Sequence, residues 1–232
     1  YKEVLQLKKN LQKLKLFGKD MLIIIGYLLI MVVVTYLFTI KSDNLTPLMQ
    51  TIIYSILSIY LLIIFRKELK SALKDFKKNS SGYLLRGFEI YFLSYLVMIF
   101  VQMILYKLIG SLPTNEELNR EAIRNNIFHS VLQMCIFAPF QEELLFRQNF
   151  RNLFKNKIVF SIVTGLLFGS MHLIAAKSLI ELPYILTYSI MGIALGYMYY
   201  DSDNIYTSMC LHSFNNTFAL IVTVIEVFKW KE

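Results

Sequence analysis

IFHSVLQMCIFAPFQEELLFR, residues 127–147, decides how the chain is read. Its first part, Ile127 to Phe140, is apolar enough for a membrane-buried helix, and Glu142, Glu143 and Arg147 follow within its last six residues. An ionisable side chain at membrane depth costs roughly 2.5 to 3.5 kcal/mol on insertion scales, so three together mark a functional site by default. On a helix Glu143 and Arg147 are i,i+4 neighbours and can pair, while Glu142 is turned about 100° away. One carboxylate is then held and the other is left for chemistry. The bland alternative is a cluster of snorkelling charges at a helix end. Pro139 removes a backbone donor three residues before Glu142, which in a membrane is tolerated where a partner or water lies near. It either opens the helix beside a wet pocket or is an ordinary transmembrane kink.

The rest of the chain has the same character. Of 232 residues, 56% are hydrophobic and 17% charged, which describes neither a soluble domain nor a disordered one. An all-α, polytopic transmembrane bundle is expected. The formal charge of +8 sits in blocks of Lys and Arg between apolar runs, where it sets topology and meets anionic lipid, so nucleic acid is excluded as a partner and the bilayer is the expected one. Cys135 and Cys210 both lie inside apolar runs and read as small packing residues, not a disulfide.

Runs of about 20 apolar residues give seven spans, within a range of six to eight: 21–40, 48–65, 88–109, 127–150, 158–176, 182–200 and 205–228. Residues 1–20 form a basic amphipathic segment, 21–86 a helical pair followed by a basic linker from Arg66 to Arg86, and 87–232 the main bundle. Residues 41–47 read as a short polar turn. No cleavable signal peptide is expected, because the first apolar run follows a Lys-rich segment and is long enough to span. Segments 1–20, 66–86, 147–157 and 201–204 hold 17 Lys and Arg, against seven on the opposite side. The bias puts the N-terminus in the cytoplasm and Glu142 near the cytoplasmic face.

His172 lies four residues after Phe168 in the fifth span, and His212 four before Asn216 in the seventh, so each pair shares a helical face. A lone intramembrane histidine is usually a packing residue. Two, with Asn216 and a carboxylate pair on a third helix, are harder to dismiss. Gly165 and Gly169, and Gly192 and Gly196, supply small faces that let helices approach closely. His129, near the other end of the fourth span, reads as interfacial.

Glu142-Glu143-x-x-x-Arg147, Phe168-x-x-x-His172 and His212-x-x-x-Asn216, in that order on successive spans, resemble the three motifs of the CPBP family. These are the CAAX protease and bacteriocin-processing (Abi) intramembrane endopeptidases, and the resemblance covers about 127–220. It implies hydrolysis of a peptide bond in a peptide or membrane-protein substrate near the cytoplasmic face. Glu142 is then the base that activates water, Glu143 and Arg147 the supporting pair, His172 a base partner or metal ligand, and His212 and Asn216 ligands or oxyanion stabilisers.

Two His and a Glu, here His172, His212 and Glu142, are a known ligand set for catalytic zinc. The alternative is a metal-free, Glu-activated water. A second class of function is a non-catalytic bacteriocin-immunity factor or membrane scaffold that keeps these residues for packing. Richness in Lys, Ile, Asn, Phe and Tyr suits an AT-rich bacterial genome, hence a bacterial plasma membrane and a secreted or signalling peptide in preference to a prenylated protein.

Overall fold

The computed structural model describes residues 2–40 and 45–229. Lys41 to Asn44, most of the expected polar turn, fall outside the described residues. Eight helices account for nearly all of the described chain. They are α1 (Lys2–Thr39), α2 (Pro47–Ile64), α3 (Arg66–Ile109), α4 (Thr114–Asn125), α5 (127–148), α6 (Lys157–Met171), α7 (Ile185–Ser202) and α8 (Ile205–Lys229). Among the described residues five helical stretches are long and apolar enough to cross a membrane: Gln6–Thr39, Pro47–Ile64, Arg66–Ile109, Leu179–Ser202 and Ile205–Val227. The chain is an all-α integral membrane bundle. The other two expected spans differ in kind: α6 is a shorter apolar helix, and α5 is broken into α and π turns.

The helix ends follow from local chemistry. Thr46 caps α2 by accepting from the Met49 N–H at 3.3 Å, with Pro47 in the first turn. Asn156 caps α6 through the Val159 N–H at 3.0 Å, and Gly110, at φ 83°, ends α3 in the left-handed conformation. Three boundaries differ from expectation. The basic linker 66–86 is helical and continuous with the third span, because its apolar face has a surface to cover: Leu69 and Ala72 pack into the core and Phe76 meets Tyr206 at 5.9 Å. The basic segment 2–20 likewise runs into α1 without a break. The fifth span stops at Met171, so His172 stands just past the helix end.

The tightest pairing is α6 on α7, where glycines meet. A Cβ on Gly165 would lie 2.5 Å from the Ile193 backbone nitrogen, and one on Gly192 would lie 2.8 Å from the Gly165 carbonyl oxygen. This approach sets the Gly192 carbonyl where the site uses it. We expect Gly165→Ala to lower the thermal midpoint in detergent by an amount equivalent to roughly 1 to 3 kcal/mol, the usual cost of overpacking. Gly18→Ala is the control, since nothing lies within 4 Å of that position. Equal midpoints for the two variants would show that the approach is not tight.

The buried core is divided by level. Leu61, Phe65, Leu69, Leu144, Phe150, Phe160, Tyr199, Ile205 and Met209 form one cluster at the end of the bundle that carries the basic segments. A second, with Tyr91, Met191, Leu195 and Leu211, lies at mid-height. A third, Ile123, Cys135 and Leu220, ties α4, α5 and α8 at the opposite end.

Candidate active site

Pro139 shapes α5. Leu132–Phe137 forms a π-helical stretch, with the Ala138 N–H bonding the Gln133 carbonyl five residues back. Pro139 has no N–H, so it can supply neither the π-type bond to Met134 nor the α-type bond to Cys135. Both carbonyls are met from α8. The Asn216 amide donates to the Met134 oxygen at 2.8 Å and the Ser213 hydroxyl to the Cys135 oxygen at 2.6 Å. The proline thus opens the α5 ladder, and α8 docks into the opening. A second π stretch, Leu144–Gln148, follows Glu143.

Glu143 and Arg147 pair as their spacing suggested, at 3.0 Å, and both are 0% exposed. Arg147 also donates to the Gly192 carbonyl at 3.0 Å and stands over the Phe168 ring at 4.6 Å. His212 Nδ1 lies 2.9 Å from Glu143 Oε1. A carboxylate only accepts, so Nδ1 carries the hydrogen and His212 Nε2 is turned toward Glu142, 3.7 Å from its Oε2. Glu142 is different from its neighbour. Its side chain is 27% exposed, its Oε2 has no hydrogen-bond partner, and it lines a cavity of about 730 Å³.

His172 and Asn216 line the same cavity. His172 Nδ1 donates to the Phe168 carbonyl at 2.9 Å, which leaves Nε2 as the accepting nitrogen of the neutral ring. Past the end of a 15-residue helix, His172 is about 22 Å along the α6 axis, deeper than Glu142. The cavity extends far enough along the bundle for both to face it. Asn216 spends one amide hydrogen on Met134 and keeps the second, while its Oδ1 accepts from Asn215 at 3.2 Å.

Among the described residues no three His, Cys, Asp or Glu side chains are gathered closely enough to hold a metal ion. His172 and His212 each turn Nδ1 to an oxygen, of the Phe168 carbonyl and of Glu143, and keep Nε2, the nitrogen that a metal would use.

Several participants escaped the sequence reading. Phe168, noted only as a motif position, is the central ring, 4.5 Å from His172 and 5.5 Å from His212. Tyr188 stacks on the other face of His172 at 4.7 Å. Gln141 ties α5 to the first two helices: Tyr27 donates to it at 2.7 Å, and it donates to Ser58 Oγ and the Tyr54 carbonyl, each at 2.9 Å. A Gln beside the carboxylate pair, inside an apolar run, was the available signal. His129 is buried and held by Thr51 and Gln50 at the opposite end of α5. At that end α4 covers the cavity, and burial there pushes the Glu116 carboxyl above its usual range despite the nearby Arg120.

A protein-family model described as type II CAAX prenyl endopeptidase, Rce1-like, matches residues 124–218, which include all six motif residues. No curated protein and no solved structure matches the chain.

Proposed function

From the match of residues 124–218 to the Rce1-like type II CAAX prenyl endopeptidase family model, we propose that the chain is an intramembrane endopeptidase that cuts a peptide or membrane-protein segment with a water activated by Glu142. One observation carries this reading: Glu143 and Arg147 are fully buried and paired at 3.0 Å, whereas Glu142 makes no side-chain hydrogen bond and alone of the three lines the cavity. A scaffold that kept these residues for packing would gain nothing from a carboxylate left open.

The residues supply the steps as follows. Glu142 takes a proton from water, and the oxygen so freed attacks the peptide carbonyl carbon while the C=O π electrons move onto its oxygen. The spare amide hydrogen of Asn216 is available to that oxyanion, where exclusion of bulk water strengthens it. The intermediate collapses by breaking the C–N bond, and Glu142 returns the proton to the leaving nitrogen. His172, with Nε2 free and its ring held between Phe168 and Tyr188, accepts from the attacking water and aims it. Glu143 fixes the His212 ring so that Nε2 faces Glu142. No step in this scheme passes through a metal.

The charge count supports a cytoplasmic N-terminus: setting aside the buried Arg147, Lys and Arg number 16 on that side against seven. Bacterial origin rests on composition.

The test compares new N-termini in membranes of cells with and without the protein. We expect a small set of membrane-embedded or secreted peptides cut only when it is present, and an unchanged profile would sink the endopeptidase reading. Elemental analysis of the active, purified protein should find well under one zinc per chain, and a strong chelator should leave cleavage intact. Stoichiometric zinc lost together with activity would overturn the metal-free scheme.

A further inference from the structure

The two ends of the bundle are built differently, and the difference decides how the site is reached. At the basic end, every spanning helix contributes to one packed cluster. Leu61 of α2, Phe65 at the junction of α2 and α3, Leu69 of α3, Leu144 of α5, Phe160 of α6 and Ile205 of α8 are all within 6% of full burial, and α1 and α7 add Ile23 and Tyr199. Leu144 and Phe160 have no exposed surface at all. The fully buried Glu143–Arg147 pair lies at the level of this layer, with Arg147 between Leu145 and Phe150 in sequence. A smaller cavity of about 200 Å³ opens at this end between α3, α7 and α8, but it shares no lining residue with the one that holds Glu142. A route from the basic end to Glu142 would still have to pass through packed core.

Toward α4 the helices part. The α3–α8 seam is closed by aromatic contacts, Phe88–Phe214 at 5.0 Å, Tyr91–Phe214 at 5.5 Å and Tyr95–Phe218 at 5.7 Å. Beyond Tyr95, the α3 residues Ile99, Gln102 and Tyr106 and the α8 residues Ala219, Thr223 and Glu226 line the cavity instead. From Asn215 to Glu226 is 11 residues of α8, so the cavity runs about 16 Å along the bundle axis. That length suits about five residues of extended chain.

Its middle is apolar and adaptable, with Met98, Met103, Met191 and Leu195. Its far end is roofed by α4. The Glu181 carboxylate accepts from the Thr114 N–H at 2.7 Å, the Thr114 hydroxyl at 2.9 Å and the Lys177 N–H at 3.1 Å, and Arg120 pairs with Glu226 at 2.7 Å.

We propose that substrate reaches Glu142 from the α4 end, as an extended, mainly apolar segment of about five residues lying between α3 and α8 beneath α4. The identity of the occupant as a peptide rests on the endopeptidase reading; the direction of access rests on the packing alone. The basic end is a closed floor, and the scissile bond is presented to it from above.

The experiment uses single cysteines in the full chain, with Cys135 and Cys210 replaced by Ala, and a charged, membrane-impermeant methanethiosulfonate as probe. Ala138→Cys, one turn before Glu142 on the cavity wall, reports the site; Met134→Cys, also on the wall, is the second reporter in case the first variant misfolds. Glu121→Cys on the exposed face of α4 and Ser81→Cys in the exposed basic stretch mark the two sides. Labelling is measured in intact cells and in inverted membrane vesicles. We expect the reporters to react at least tenfold faster in whichever preparation exposes Glu121→Cys. Faster reaction in the preparation that exposes Ser81→Cys would overturn the proposal, and so would equal protection in both.

Because labelling needs no turnover, the two readings fail separately. A protein that cleaves normally but is labelled from the Ser81 side loses only the access route. One labelled from the α4 side that cleaves nothing loses only the endopeptidase reading.

Discussion

Replacing Glu142 by Gln is expected to leave a folded protein with kcat lowered by roughly 10² to 10⁴, the usual contribution of a general base. The amide keeps the shape of the side chain and loses its ability to take a proton. Stability should hold because little depends on the charge: the inner oxygen has no hydrogen-bond partner, and His212 Nε2 stands off at 3.7 Å. A substitution of that kind usually shifts stability by no more than about 0.5 kcal/mol. Cleavage of an identified substrate and the thermal midpoint, measured on one preparation, separate the two effects. Wild-type turnover in the Gln variant would remove Glu142 from the chemistry.

The reverse pattern is expected one turn on. Arg147→Ala strips the guanidinium from Glu143, which has no exposed surface from which to regain water. Breaking a buried ion pair from one side costs about 3 to 5 kcal/mol. The same change loses the bond to the Gly192 carbonyl and the contact with the Phe168 ring, so α5, α6 and α7 loosen together. Much of the protein should fail to accumulate in the membrane. The double variant Glu143→Gln, Arg147→Met should recover part of the loss, since it leaves no unpaired charge. Detergent-solubilised yield and thermal midpoint decide the matter: an Arg147→Ala protein as stable as the parent would mean the pair is not structural.

Much of this was legible in the sequence because membrane burial makes polar residues conspicuous. The spacing of Glu143 and Arg147 gave their pairing, and the isolation of Glu142 on the adjacent face gave its openness. The sequence was silent where tertiary contacts decide. The linker 66–86 reads as polar because its lysines are exposed, yet the sparse apolar positions Leu69, Ala72 and Phe76 suffice to hold it helical against the core. The early end of α6 leaves no mark, since residues 172–176 are as apolar as a helix would need. Tyr188 looked like any residue of a membrane helix, because its role depends on where His172 comes to rest. Pro139 was visible as a break, but the carbonyls it strands could be assigned only once α8 was seen against them.

Those stranded carbonyls bear on how the protein is made. When α5 leaves the ribosome, it carries two bare oxygens at Met134 and Cys135 and a Glu143–Arg147 pair without its outer hydrogen-bond partners. The groups that complete it, the Gly192 carbonyl, His212, Ser213 and Asn216, are synthesised some 45 to 82 residues later. A helix in that state partitions poorly into lipid. We expect it to wait beside the insertion machinery for the last helix, so that α5 and α8 enter the bilayer as one unit. A chain truncated before α8 should then be retained by the translocon or degraded, whatever the hydropathy of the helices already built.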